Sequence, residues 1–205
     1  MATEDLTTYT EVDPNSHISA TSSRATGAGV GRDETCYLYK DYGENYFNGV
    51  TVNFDIRVTT FPSSGIMLVF GLSNTLNHIG VWGTSEPRVV FYNNAGIARL
   101  YFVGISSPYY GISLNTTYYC RLIRAAGSDT ANLYIYSDSG RTTLLTTLTN
   151  TVVASTKWRY AFAMSSQNTG GVAYATSGYV ENISMSLPSS LVHRPDRSSK
   201  GLMVR

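Results

Sequence analysis

Residues 49–60, "GVTVNFDIRVTT", constrain the fold of this chain more than any other stretch. Val50, Val52, Phe54, Ile56 and Val58 alternate with Thr51, Asn53, Asp55, Arg57 and Thr59. A strict period of two puts one side of a strand in a core and the other toward water. The next run, "GIMLVFGLS", is apolar on both parities and predicts a central strand covered on both faces. Further short runs follow: "HIGVW", "RVVFYN", "ARLYFVGI", "YYCRLIRA", "NLYIYS", "TTLLTTL", "WRYAFAMSS" and "GYVENISMS". Clusters of Gly, Asn, Asp, Ser and Pro separate them, and every proline falls outside the runs, as ladder hydrogen bonding requires. No window shows an apolar period of 3.6 residues. About ten strands without helices predict a β-sandwich or barrel.

Composition agrees. Charged residues are 14% of the 205, against an average near 25%, and Ser with Thr make up about a quarter. Hydroxyls and 16 tyrosines suit pleated, half-buried surfaces. A net charge of +1 excludes a field-driven grip on nucleic acid. No apolar run is long enough to span a membrane, and "MATEDLTTYTEVDPN" lacks the basic and apolar regions of a secretory signal. The expected compartment is therefore reducing. There Cys36 and Cys120 are expected as buried free thiols, although two cysteines could form one disulfide. With three scattered histidines they give no zinc spacing.

The predicted organisation is an N-terminal arm or edge segment (1–30), a sandwich domain (31–187) and an extended C-terminal arm (188–205). The first thirteen residues hold Glu4, Asp5, Glu11 and Asp13 and no base. The last thirteen hold Arg194, Arg197, Lys200 and Arg205 against Asp196 alone, so arms of opposite sign could pair between copies. Disordered solubilising tails are the plainer reading.

Several residues invite a functional reading. Tyr134 and Tyr136 lie opposite Leu133 and Ile135, so tyrosines occupy the face turned from the core. Rings there pack on a sugar, another subunit or same-face neighbours. Trp82 and the pair Tyr109 and Tyr110 sit beside turns and are candidates for ligand or partner contact. In "WRYAFAMSS" the bulky side (Trp158, Tyr160, Phe162, Met164) is expected to fill the core, with Ala161 and Ala163 on the side another layer can approach. The loop "KDYGENYFNG" offers Asp41, Glu44, Asn45 and Asn48 as oxygen donors for calcium, although turns are rich in such residues for backbone reasons. Glu181 shares parity with Tyr179, Ile183 and Met185, so it needs an arginine, a metal, a bulge or a rim position.

At "NGVTVNFDIRV", "TTYYCRLIRAAGSDTANLYIYSDSG" and "SGYVENISMSL" the chain resembles the concanavalin A-like lectin/glucanase superfamily. The resemblance is an order of features. An amphipathic strand comes first, then a strand with Tyr118, Tyr119 and Arg124, then its hairpin partner, then a late strand returning beside the first. The opening segment is also similar to uncharacterised domains of this class from bacteriophage and environmental sequences. The resemblance implies an all-β, antiparallel two-sheet jelly-roll sandwich whose concave side holds ligand in lectins and glycanases. Glycanases of this superfamily use a strand motif Glu-x-Asp-x-(x)-Glu. Here only Glu11-Val12-Asp13 approaches it, Pro14 follows, and the third acid is missing. No other nucleophile or acid–base arrangement appears, so no enzymatic activity is expected. The function expected first is structural: a virion component, made in the host cytoplasm, such as a capsid decoration or fibre- or tail-associated domain. It would join homo-oligomers or other virion proteins through tyrosine-rich faces and terminal arms. The alternative is a lectin-like module that binds a glycan, with calcium as its one candidate cofactor.

Overall fold

The computed structural model describes residues 2–31, 34–62, 65–94, 97–167 and 175–186. Its strands in chain order are β1 (Ala2–Thr3), β2 (Thr10–Val12), β3 (Ile18–Ala20), β4 (Arg24–Val30), β5 (Tyr37–Asp41), β6 (Val50–Thr60), β7 (Ile66–Ser73) and β8 (Arg88–Asn94). Then follow β9 (Ile97–Val103), β10 (Tyr109–Gly111), β11 (Tyr118–Arg124), β12 (Thr130–Tyr136), β13 (Leu144–Thr151), β14 (Tyr160–Ser165) and β15 (Thr176–Ser186). They form two antiparallel sheets. One has eight strands in the order β13-β12-β11-β6-β15-β4-β3, with β1 also on β15. The other has seven in the order β10-β9-β8-β7-β14-β5-β2. Among the described residues no helix is long and apolar enough to cross a membrane, which says nothing of β-barrels.

The alternation of β6 does what its period dictates. Val50, Val52, Phe54, Ile56 and Val58 are buried between the sheets, and Phe54 stacks on Phe70 of β7 with ring centroids 5.1 Å apart. Each such ring removed from water contributes about 1.5–3 kcal/mol. Strand β15 returns beside β6, Val180 opposite Ile56, as the order of features implied. The same alternation in β11 and β12 sends Cys120, Leu122, Leu133 and Ile135 inward. Both cysteines are free and buried.

A second apolar layer lies outside the sandwich. The segment between β7 and β8 folds back over the outer face of the seven-stranded sheet, where Ile79 and Trp82 join Leu68, Val90, Tyr160 and Phe162. "HIGVW", expected as a strand, is here a single 3-10 turn, Ile79–Val81. The His78 ring accepts the Gly80 N–H, and three-residue spacing brings Ile79 and Trp82 to one side of the turn. A Cβ on Gly71 would lie 2.6 Å from the Trp82 ring, so glycine is what lets the indole settle on the sheet. Strand β14 reverses its expected orientation for the same reason. Tyr160 and Phe162 face this outer cluster, while Ala161 and Ala163 face the inter-sheet core. Met164 rejoins that core after a register shift between Phe162 and Met164.

Other expectations met different outcomes. Residues 2–30 run into both sheets, with β2 and β3 at edges and β4 one strand in, paired to β15. Residues 109–111, expected as a loop, form edge strand β10. The arm 188–205, with Arg194, Arg197, Lys200 and Arg205, lies outside the described residues. Glu181 is reconciled twice over. Asn182, at φ 54°, forms a bulge that returns Ile183 to the core, and Glu181 on the outer face receives Arg24 Nε at 2.8 Å.

Candidate functional site

Two outer faces compete as sites. On the eight-stranded sheet, cross-strand register sets Asp55 between Tyr119 and Glu181. Asp55 is buried at 6% exposure, and its carboxylate accepts from Arg141 Nη2 at 2.6 Å and from Asn182 Nδ2 at 2.8 Å. Burial pushes the Asp55 carboxyl up, against the pull of Asn182 and Arg141. Glu181 is held by Arg24, whose guanidinium also covers the Tyr179 ring at 4.1 Å. The neighbouring acids are thus each committed to an arginine. Beyond them lie Tyr134 and Tyr136, both half-buried, with Arg121 opposite Tyr134 and within 6.0 Å of the Tyr136 ring. Arg121 Nε in turn donates to Asn53 at 2.9 Å. These tyrosines pack on same-face neighbours, and this surface is a closed ionic and aromatic mesh.

The outer face of the seven-stranded sheet is different. The β8–β9 hairpin and the short β10 place Tyr92, Arg99, Tyr101 and Tyr109 side by side: Arg99 opposite Tyr92, and Tyr101 flanked by Val90 and Tyr109. Tyr101 meets Tyr109 at 5.1 Å between centroids and Tyr92 edge-on at 5.4 Å. The Arg99 guanidinium lies 4.4 Å from the Tyr109 ring centroid, and its Nη1 donates to the Tyr101 hydroxyl at 3.2 Å. Tyr109 is 52% exposed. On the far side of Arg99 the β10 partner is Gly111, where a Cβ would meet nothing within 4 Å. Beside this platform an open cleft of about 270 Å³ runs over Ile66, Val90, Tyr92, Tyr101 and Val103, with Ser107 and Gln167 at its edge. Apolar floor, aromatic wall and a few amide and hydroxyl groups are what a small polar-faced ligand uses.

A second recess, about 300 Å³, is lined by Glu44, Asn45, Asn74, Arg159 and Tyr160. It is the more polar of the two, and its arginine is spent on Asp41, with bonds of 2.8 and 2.7 Å to both carboxylate oxygens. That pairing also engages one expected calcium donor. Asp41, held to about 2 by Arg159 and the Gly43 N–H, is an arginine partner, while Glu44 lines the recess and the Asn48 carbonyl accepts from Arg124. Among the described residues no three His, Cys, Asp or Glu side chains cluster for a metal.

The residues singled out from sequence therefore divide. Tyr109 belongs to the platform. Tyr110, its neighbour on the opposite parity, turns inward against Tyr118 at 6.3 Å. Trp82 is only 6% exposed, edge-on to Phe162 at 4.6 Å, with its indole N–H donated to the Asn77 carbonyl. Tyr134 and Tyr136 are on the other sheet. Sequence reading missed Tyr92, Arg99 and Tyr101. The signal was present: "RVVFYN" and "ARLYFV" each carry an aromatic and an arginine on one parity, and the antiparallel register of β8 on β9 brings those parities to one face.

No family model matches this sequence, and no curated protein matches it. Solved structures do. A sialidase matches with TM-score 0.60 and 14% identity over 90% of this chain, which spans only 18% of that protein. A legume lectin-like domain from Entamoeba histolytica matches with TM-score 0.57 and 11% identity over 87% of this chain and 89% of that one. A functionally unknown protein from Saccharomyces cerevisiae matches with TM-score 0.55 and 10% identity over 90% and 98%. At such identities the likeness is one of fold alone, an antiparallel two-sheet jelly-roll sandwich.

Proposed function

We propose that this chain is a non-enzymatic, lectin-like module that binds carbohydrate in the tyrosine cleft of its seven-stranded sheet. The observation that carries this reading is the trio Tyr92, Tyr101 and Tyr109 beside an open cleft whose floor is apolar. Sugar rings have apolar faces that stack on such rings, and their hydroxyls match Ser107, Gln167 and the tyrosine hydroxyls. The lectin-like fold of the Entamoeba domain supports it, and so does the commitment of Asp55 and Glu181 to arginines, which leaves no free carboxylate pair there. The test is a glycan array on the intact chain, followed by titration of any hit with Tyr101→Ala. Loss of the ring should weaken binding about tenfold, since an aromatic stack contributes about 0.5–1.5 kcal/mol beyond its buried area. Binding untouched by Tyr101→Ala places the sugar elsewhere and ends the proposal.

Self-association, with a virion as its setting, is the second reading. It draws on the exposed apolar side chains Leu144 and Leu145 along edge strand β13, whose eight residues carry no charge to deter edge pairing. Light scattering separates the two readings: a small species that binds glycan supports the module, and multimers without glycan binding support assembly.

A further inference from the structure

Resting on the cleft reading above, we infer that the glycan it takes is anionic, carrying a carboxylate or sulfate that docks on Arg99. The inference starts from charge. The stretch that builds β8, β9, β10 and the loop at the cleft edge, Arg88 to Cys120, holds two charged residues: Arg88, at the start of β8, donates to the Gly83 carbonyl at 3.4 Å, and Arg99 stands among the tyrosines. Ile66 and Gln167 complete the lining, and in sequence residues 59–73 and 160–180 around them carry no charge. The cleft lining is thus uncharged and largely apolar or aromatic, with Arg99 the cation set among its tyrosines.

That cation is not spoken for. None of the five ion pairs among the described residues includes Arg99. Its contacts are rings and one hydroxyl: the Tyr109 face at 4.4 Å and the Tyr101 hydroxyl at 3.2 Å. Arg24, Arg141 and Arg159, by contrast, each hold a carboxylate, and Arg121 donates to the Asn53 amide. The Tyr109 ring and the Tyr101 hydroxyl together position the Arg99 guanidinium, which lowers the rotamer freedom to be lost on binding. Gly111 leaves the adjoining space open, so an incoming group meets no side chain there. A guanidinium held beside a sugar platform recognises a planar carboxylate or a sulfate through paired N–H donors. A purely neutral ligand would use the tyrosines and leave that capacity idle.

Calorimetric titration of the intact chain with polygalacturonate oligomers, their methyl esters, dextran sulfate and dextran tests this. Methyl esterification removes the charge and keeps the ring, so it isolates the cation. The charged form of at least one pair should bind about tenfold or more tighter than its neutral partner at low salt, with the gap closing as salt rises. Whether the carboxylate or the sulfate pair shows the gap identifies the group. Arg99→Gln should abolish the discrimination between charged and neutral partners, and Arg99→Lys should retain part of it. Equal binding of charged and neutral partners, or full discrimination in Arg99→Gln, overturns the anionic assignment and leaves the cleft reading standing. Absence of binding to all four ligands, with none on the array, removes both. The wild-type comparison needs no variant, so it decides even where a substitution disturbs folding.

Discussion

Arg124 closes β11 with its side chain turned inward, where strand alternation sends it, and it meets no carboxylate there. Its Nε donates to the Ser128 carbonyl, Nη1 to those of Asn48 and Thr156, and Nη2 to those of Val153 and Ala154. The guanidinium also lies 4.5 Å from the Trp158 ring centroid. Five bonds to three separate loops make it the pin that holds one end of the sandwich together. Burial lowers its pKa but leaves it charged at any ordinary pH. A lysine has three donors at one point and cannot span these carbonyls. Arg124→Lys is therefore expected to cost about 2–4 kcal/mol, since hydrogen bonds to charged groups contribute about 1.5–3 kcal/mol each and only some survive. Urea denaturation measures it, and a loss under about 0.5 kcal/mol, the range of ordinary surface substitutions, contradicts the pin. The sequence shows Arg124 on a strand, but not this role, because its partners are backbone carbonyls that any residue could supply. Glu181 was legible for the opposite reason: a carboxylate on an apolar parity demands a partner, and Arg24 with the Asn182 bulge provides one.

Strands declared themselves wherever period two ran long. β6, β7, β11, β12 and β15 were readable from alternation or from apolar runs between turn residues. β5 was not, because Tyr37, Tyr39 and Asp41 sit among turn-forming residues, and its alternation covers only five positions. The covering segment between β7 and β8 was misread because its organiser is one acid. Glu86, at 5% exposure, accepts from Ser73 Oγ at 2.6 Å, Asn74 N at 2.8 Å and Thr75 N at 3.2 Å through one oxygen, and from Gly83 N at 2.7 Å through the other. Such a hub leaves no periodic trace. It also explains why the bulky face of β14 lies outside the inter-sheet core: this segment roofs it. Glu86→Ala removes the acceptor of Asn74 N and Gly83 N, while Ser73 Oγ keeps the Thr75 carbonyl and Thr75 N keeps Ser73 Oγ, so the cost is about 1–3 kcal/mol. The loss should be local first. Trp82 fluorescence should shift to the red and amide exchange over residues 74–86 should accelerate ahead of β6 and β15. A variant that melts in one step with Trp82 still shielded contradicts the hub. The cleft itself was half legible, through Tyr109 but not Tyr92, Arg99 or Tyr101, because a cleft depends on which strands become neighbours.

Across the whole molecule, 14 acids nearly balance 15 bases, so stability against pH is set by where individual carboxylates sit and not by net charge. Asp41 receives Arg159 and the Gly43 N–H, and Asp138 receives the Thr142 and Thr143 N–H groups in the turn after β12. Each set of donors favours the charged form and holds its carboxyl at about 2, below the ordinary 3.8. A folded-state value below the unfolded one stabilises above the unfolded value and is lost as pH falls toward the folded value. Asp55 acts in the opposite sense. Burial raises it, so its contribution is full below the ordinary value and fades as pH climbs. With Asp5, lowered by its bonds from Thr7, three lowered acids against one raised acid predict a melting temperature that drops between about pH 4 and pH 2. Asp138→Asn isolates one of them. The variant should melt below the wild type at neutral pH, and the gap should narrow as acid protonates Asp138 in the wild type and removes the same interaction. Melting curves from pH 6 down to about pH 2 give the comparison. A gap that stays constant across that range would mean the β12–β13 turn draws its order from backbone geometry alone, and the Asp138 charge would have no part in it.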